Sequence, residues 1–434
     1  MKKIFSIAGV AIAGALFTLL GCVKDRVTRT YTIQRPVYQS LTQARTAIKG
    51  GESVKIETPG KITLYKNYIF LNEVSKGIHV IDNTDPSSPR NISFINIPGN
   101  TDLSIRNNIL YANDAYGDLV AFGIEDPEKP VVKKFLSSIF LSYYPYTANA
   151  PGNPDSILVI TDWTSKDTTI RVDPDNPYQS PYYPGISCPN CSLYSFAAVP
   201  GSANVQAAPT TTGVNGSTSG FAISGQYLYA LSSGSLLNVV DIAAADDPEL
   251  ANQLPLGQFT ETIFPFEDKL FMGTTTGMLI YDLSDPSTPV QKGNFAHVSS
   301  CDPVITDGKY AYVTLRSGTN CNGSSINELD ILSLSSFYYP SLVKTYSLTN
   351  PRGLSKDGNL LFICDGKDGL KIYDATDVSN LSLIKTIGGL EADEVIAQSG
   401  KAIVIAAEGL YQFDYTDRNN IHQLSKLNNY GGLF

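Results

Sequence analysis

Apolar and polar positions along the chain fall into one phrase that keeps returning. Its clearest copy is Gly77-Ile78-His79-Val80-Ile81-Asp82-Asn83-Thr84-Asp85-Pro86. It recurs as Gly277-Met278-Leu279-Ile280-Tyr281-Asp282-Leu283-Ser284-Asp285-Pro286 and as Gly369-Leu370-Lys371-Ile372-Tyr373-Asp374-Ala375-Thr376-Asp377. Looser copies end at Asp241, at Gly123 before Asp126-Pro127, and at Asp414 before Asp417. Each copy is a turn glycine, a run of apolar and β-branched residues, and an Asp-containing turn, which is the pattern of a strand closed by a turn. Recurrence at about 40 residues with this strand content predicts an all-β fold, a single β-propeller.

One unit parses in full. Residues 61–65 read as an inner strand, 68–73 as a second, 78–82 as a third and 91–97 as a fourth, with turns between. Four antiparallel strands in about 40 residues make one blade. Second strands recur near Ile109, Ile157, Tyr227, Leu270, Tyr310, Leu360 and Ala402. With the one at Tyr68 they predict about eight blades, or seven if the unit near Ile157 is irregular. Their continuous apolar runs suit strands covered on both faces, as stacked blades require. The propeller is placed at 58–434, with an insertion at about 164–190 rich in Asp, Pro and Tyr. The Gly/Ser/Thr/Ala-rich stretch 199–220 after it reads as a mobile loop.

Upstream, residues 22–57 form an anchor and lead-in. Residues 30–38 alternate and read as extended, and Ser40-Leu41-Thr42-Gln43 has capping-box spacing, predicting a short helix over 41–49 before Gly50-Gly51. This lead-in is expected either to lie on the propeller or to add an outer strand to the last blade. Residues 1–21 read as an export signal: Lys2-Lys3, an apolar run, then Gly21-Cys22. The run is too short for a stop-transfer span. Leu19-Leu20-Gly21-Cys22 resembles a bacterial lipobox, which makes Cys22 the lipidated residue and the membrane a partner through acyl chains. The Lys24-Asp25 pair resembles the surface-export signal of Bacteroidetes lipoproteins, which is usually more acidic. The localisation expected is the cell envelope, as an outer-membrane lipoprotein.

Composition narrows the function classes. Net charge is −9, and removing Lys2 and Lys3 with the leader takes it to −11. That excludes nucleic acid, whose phosphates require clustered Lys and Arg. Export permits disulfides. Cys364 lies in a strand pattern and reads as a buried free thiol, which leaves Cys188, Cys191, Cys301 and Cys321 to pair. A Cys301–Cys321 bridge within one blade and a local Cys188–Cys191 bridge are expected. The latter pair lacks the strand–helix context of a redox Cys-x-x-Cys.

The motif copies, the Tyr-x-x-x-Arg-Pro-Val-Tyr lead-in at 31–38 and the lipobox together resemble the LVIVD-repeat lipoproteins of Bacteroidetes. The resemblance implies a β-propeller at the cell envelope and implies no reaction.

Two groups of residues are candidates for a site. Tyr143, Tyr144, Tyr146, Trp163, Tyr178, Tyr182 and Tyr183 fall on loops of one face, where rings with polar tips suit glycan stacking or a protein partner. Self-packing of those loops is the plainer reading. Asp102, Asp302, Arg352 and Glu394 fall at the starts of inner strands and are expected to ring the mouth of the central channel. No metal or cofactor is expected. Three widely spaced histidines at 79, 297 and 422 make no zinc set, and the Asp-Pro turns are ordinary turn chemistry rather than calcium loops. No catalytic spacing is present, so the expected function is a non-catalytic, lipid-anchored interaction module binding a protein or glycan. The alternatives are an envelope hydrolase or lyase working at the channel mouth, and a purely structural envelope component.

Overall fold

The computed structural model describes residues 27–140, 147–148, 155, 157–172, 211–297, 303–318 and 326–428. They divide into two units.

The larger unit is a seven-bladed propeller of four-stranded antiparallel blades. Blades 1 to 7 occupy residues 59–96, 103–136, 221–255, 260–296, 304–347, 354–387 and 392–427. Sequence parsing of blade 1 lies within two residues of the observed strands Pro59–Tyr65, Tyr68–Glu73, Gly77–Asp82 and Arg90–Asn96. Each blade comes from one continuous stretch of chain, and seven apolar clusters separate the seven neighbouring pairs. The cluster that closes the ring joins Ile396, Ile403 and Ile405 of blade 7 to Ile62, Ile69 and Leu71 of blade 1. Closure therefore relies on side-chain packing, with no blade shared between the chain ends.

The recurring phrase has a physical cause at each position. A Cβ on Gly77, Gly277 or Gly369 would lie 2.0, 2.2 and 2.0 Å from a carbonyl oxygen of the fourth strand (that of Ile95, Phe295 or Ile387), so only glycine fits. The apolar run fills the inter-blade clusters. Its closing Asp turns back on the chain: the Asp82, Asp282, Asp374 and Asp414 carboxylates each accept the backbone N–H two residues on. Asp85, Asp285, Asp377 and Asp417 do the same one turn later. The turns also stitch blades together. Ser93 of blade 1 donates to the Pro127 carbonyl of blade 2, and Ser425 of blade 7 to the Pro86 carbonyl of blade 1, both at 2.7 Å. A register shift sits between third and fourth strands in every blade, the extra twist a radial blade needs.

Blade count is seven, the alternative expected for an irregular unit near Ile157, because the apolar run there belongs to no blade. Two expectations are corrected. The predicted helix 41–49 is shorter, Leu41–Arg45. The lead-in extends the first blade rather than the last: Lys49–Glu52 pairs with Arg90–Asn96. Gly50 permits this, since a Cβ there would sit 2.7 Å from the Pro130 carbonyl oxygen of blade 2. Arg45 then clamps the lead-in to blade 2, with Nε donating to Asp118 Oδ2 at 2.7 Å, a terminal nitrogen to Ser137 Oγ at 2.6 Å, and the guanidinium over the Phe135 ring.

The smaller unit is a three-stranded antiparallel sheet. Val27–Ser40 pairs along its length with Ile157–Val172, with one register shift at Val37/Tyr38, and Thr147–Ala148 lines the other edge. Residues 164–172 of the stretch assigned to an insertion are thus strand, and 173–190 lie outside the described residues. Among the described residues no helix is long and apolar enough to cross a membrane.

Candidate functional site

The first strands of successive blades adjoin one another and so surround the axis. The axis is filled by chain. Residues 211–220, expected as part of a mobile loop, form a plug bonded to the inner strands of five blades and to the second strand of blade 3. Val214 and Asn215 pair with Leu64 and Thr63 of blade 1. Gly213 donates to the Ile105 carbonyl of blade 2 at 2.8 Å. Ser219 accepts from the Ile263 N–H of blade 4, and Ser217 Oγ accepts from the Leu354 N–H of blade 6 at 2.9 Å. Blade 7 supplies Glu394, which takes Ser217 Oγ on one oxygen at 2.9 Å and both the N–H and hydroxyl of Thr218 on the other at 2.8 and 2.6 Å. Loops left short of partners favour the surface; Gly216, Ser217, Ser219 and Gly220 of this one are buried because its polar groups find blade partners instead.

Two of the four channel-mouth candidates grip this plug. Glu394 is buried, and burial pushes its carboxyl up while the bonds from Thr218, Val395 and Ser217 pull it back. Two glycines make room for it: a Cβ on Gly216 or Gly353 would lie 2.7 or 2.1 Å from its oxygens. Asp102 accepts the Ser219 hydroxyl at 2.9 Å and the Gly220 N–H at 2.5 Å, with Lys61 Nζ 3.4 Å away. The third, Arg352, does not touch the plug. It pairs with Glu391 at 2.7 Å and with Asp393. Burial opposes its charge, but these carboxylates hold the guanidinium above its ordinary range. Asp302 lies outside the described residues.

Above the plug is a basin of about 430 Å³, walled by Lys61, Glu261, Arg316, Arg352, Asp393 and Glu394. Sequence reasoning found Arg352 and Glu394 from their position at inner-strand starts, and missed Lys61, Glu261 and Arg316. Lys61 and Glu261 also lie near the starts of inner strands, in blades 1 and 4, and were legible by the same rule. Arg316 lies beyond a second strand, and no sequence signal marks it. Burial and the neighbouring Arg352 charge lower the Arg316 guanidinium.

A second concavity, of about 460 Å³, borders blade 1 at Lys55, Glu57, Lys76 and Phe94. The buried Glu73 beside it is engaged structurally. It accepts the N–H groups of Glu57 and Thr58 and lies 3.1 Å from His79 Nε2. Burial lowers the His79 pKa more than Glu73 raises it.

Of the aromatic candidates only Trp163 is described. It is exposed on the strand Ile157–Val172, opposite Pro36. Tyr143, Tyr144, Tyr146, Tyr178, Tyr182 and Tyr183 lie outside the described residues, as do Cys22, Cys188, Cys191, Cys301 and Cys321. Cys364 is a fully buried free thiol, as its strand pattern predicts. Among the described residues no cluster of three or more His, Cys, Asp or Glu is placed to hold a metal.

Among solved structures, the periplasmic gluconolactonase PpgL of Pseudomonas aeruginosa shares 12% identity over 85% of this chain and 96% of its own, with a TM-score of 0.51. PorZ, an essential bacterial surface component of the type-IX secretion system of Porphyromonas gingivalis, aligns with 87% of this chain at 13% identity and a TM-score of 0.47. The aligned part spans 39% of PorZ. BamB of Moraxella catarrhalis aligns with 92% of this chain and 90% of its own at 9% identity and a TM-score of 0.45. At these identities the likeness is one of fold. No curated protein matches the chain in sequence. Residues 215–253, covering the end of the plug and most of blade 3, and residues 270–297 of blade 4 match the LVIVD repeat, and the chain is thus a β-propeller carrying LVIVD repeats.

Proposed function

We propose that the protein is a lipid-anchored cell-envelope propeller of a Bacteroidetes-type bacterium that works as a non-catalytic binding module for a protein or glycan. The observation that carries the non-catalytic reading is the state of the axial acids. A hydrolase or lyase at the channel mouth needs a carboxyl group free to exchange a proton with substrate. Glu394 and Asp102 instead hold the backbone of the plug, and Arg352 is held by two carboxylates. The lipobox ending at Cys22 and the LVIVD repeats support the envelope address. The aromatic-bearing insertion between blades 2 and 3 is the proposed partner surface.

The test has two arms. Radiolabelled palmitate should enter the full chain and not a Cys22→Ser variant, with the variant leaving the membrane fraction; equal labelling of both removes the anchor. For binding, the full chain is compared with a form lacking residues 165–187 in capture from envelope extracts, followed by competition with purified envelope glycan. A partner retained by the first and lost by the second supports the reading. Turnover of a chromogenic glycoside or ester that disappears in Arg352→Ala would replace it with the enzymatic one.

A further inference from the structure

One of the seven turns between third and fourth strands departs from the other six. The pairs that frame these turns, such as Asp282 with Val290 and Ser333 with Ser341, put the turns in register. At the fifth and sixth residues after the first of each pair stand Ser87-Ser88, Glu128-Lys129, Asp246-Asp247, Ser287-Thr288, Ser379-Asn380 and Asn419-Asn420. In blade 5 the same two positions are Tyr338-Tyr339. We propose that the outer edge of blade 4, beside these tyrosines, takes up an extended segment of a partner protein as a fifth strand, aliphatic on one side and carrying acidic residues. This surface is a different stretch of chain from the insertion between blades 2 and 3, and it stands or falls separately.

The chain already uses this mode on itself. Lys49–Glu52 pairs with Ser93–Asn96 as the outermost strand of blade 1. It also meets blade 2, where a Cβ on Gly50 would lie 2.7 Å from the Pro130 carbonyl oxygen. Blade 4 offers the same acceptor. Gly77 pairs with Asn96 and Gly277 with Ala296, so Gly293–Ala296 corresponds to Ser93–Asn96. The turn of blade 5 has the length of the turn of blade 2, so Pro340 corresponds to Pro130. Among the described residues no strand pairs with the outer edge of blade 4. An unpaired edge is a template for another strand, and strand addition is a general mode of peptide recognition in which neighbouring side chains supply the selectivity.

The wall beside that edge is apolar and held in place. A Cβ on Gly293 would lie 1.8 Å from the Phe337 carbonyl oxygen and 3.4 Å from Tyr338 Cα, so glycine lets the blade 5 turn close onto blade 4. The Phe337 ring packs 6.3 Å from that of Phe271, with Lys269 Nζ 4.9 Å from its centre. The two rings that follow are left in solvent, Tyr338 at 55% and Tyr339 at 82% exposure. Val290 and Leu342 are half-exposed and face the same cleft. Val290 pairs with Asp282, on the face of Ile280, and Leu342 pairs with Leu332; Ile280 and Leu332 belong to the apolar cluster between blades 4 and 5. A grouped apolar surface left uncovered by folding marks a contact site. Charge then selects the segment. The outer strands of blades 4 and 5 carry exposed Lys292 and Lys344 and no carboxylate, which favours an acidic strand over a basic one.

Three peptides test this on the full chain: Ac-Glu-Val-Thr-Val-Thr-Val-Glu-NH₂, its counterpart with Lys at both ends, and the acidic peptide with proline as its middle residue. The acidic peptide should saturate below about 1 mM. It should slow amide exchange within 293–296 and leave the outer strands of the other blades unchanged. The lysine and proline peptides should bind at least about tenfold more weakly, because one carries the wrong charge and the other lacks a main-chain donor. The acidic peptide should lose at least about tenfold on a Tyr338→Ser, Tyr339→Ser double variant. The proposal is overturned if the acidic peptide does not saturate, if the proline or lysine peptide matches it, if the double variant binds it like the parent, or if exchange slows at another blade's edge instead of 293–296. The exchange map is made on the unaltered protein and so is independent of how well the double variant folds.

Discussion

Ser217 and Glu394 stand 177 residues apart in the chain, and Ser217 Oγ donates to Glu394 Oε1 at 2.9 Å. That bond ties the segment between blades 2 and 3 to the last blade of the ring. Because no blade is shared between the chain ends, the plug adds a second closure at the axis to the apolar one between blades 7 and 1. Its glycines and small hydroxyl residues are what a chain needs to run among five inner strands at once.

Removing Glu394 should therefore loosen the whole ring. Glu394→Ala leaves the Ser217 hydroxyl, both Thr218 donors and the Val395 N–H without their acceptor. A loss of roughly 3–5 kcal/mol is expected from urea unfolding. Glu394→Gln keeps one oxygen and faces the remaining donors with an NH₂ group, so it should fall between Ala and the parent. A change in Glu394→Ala below about 1 kcal/mol would mean the plug contributes little to closure.

Asp114 gives the propeller a pH dependence. It is buried beside Asp118, its Oδ2 has no partner among the described residues, and burial together with the Asp118 charge pushes its carboxyl up from 3.8 to about 8. The folded protein thus holds a proton that the unfolded chain releases. Its contribution to stability is fully present below pH 4 and is lost as pH rises from about 4 to about 8. Asp114→Asn keeps the acceptor for Tyr116 and Asp118 N–H groups and removes the titration. Thermal melts of variant and parent should agree at pH 4, with the variant higher at pH 8. Parallel curves would assign the pH dependence to another group.

Arg45 is the counter-charge for this pair. Its guanidinium lies 2.5 Å from Asp118 Oδ2, whose side chain is only 2% exposed. Arg45→Ala strands two buried carboxyl groups together and should cost about 3–5 kcal/mol. Adding Asp118→Asn should recover a large part of that loss. Failure of the double variant to recover would place the Arg45 contribution in its packing on Phe135 rather than in charge.

Cys364 should be silent toward thiol reagents. Burial pushes its thiol well above the ordinary range, and nearby Glu394 and Asp393 add to the effect. Mass spectrometry after iodoacetamide should find residue 364 unmodified in the native protein and modified in urea. Native labelling at a rate matching an exposed thiol would show that blade 6 opens locally.

The Ser93–Pro127 and Ser425–Pro86 bonds are equivalent in geometry and differ in place. Ser93→Ala and Ser425→Ala should each cost about 1 kcal/mol in chemical unfolding. Only Ser425→Ala, at the closing interface, should raise amide exchange in the outer strands of both blade 1 and blade 7.

Blades were legible because their signal is local. The turn glycine, the apolar run and the Asp pair each report a constraint within one strand or its adjoining turn, and the repeat displays it several times. The choice between eight blades and seven turned on Ile157, whose apolar run resembles a second strand. Its partner turned out to be the lead-in strand, where Leu158 pairs with Ser40 and Ile160 with Tyr38, and strand runs do not state which partner they pair with. The site was partly legible for the same reason. Arg352 and Glu394 follow from their place at an inner strand, whereas what they touch depends on a segment remote in sequence.

Local periodicity and turn chemistry in the sequence by themselves determined an all-β propeller of four-stranded blades, the Asp-capped turns and the buried thiol at Cys364. Tertiary structure alone decided the number of blades, the attachment of the lead-in to blade 1, and the axial plug that engages Asp102 and Glu394. The reason is that a backbone carries the same donors and acceptors at nearly every residue. A Gly/Ser/Thr-rich stretch is equally suited to water or to a buried axis, and only the geometry of the assembled inner strands selects between them.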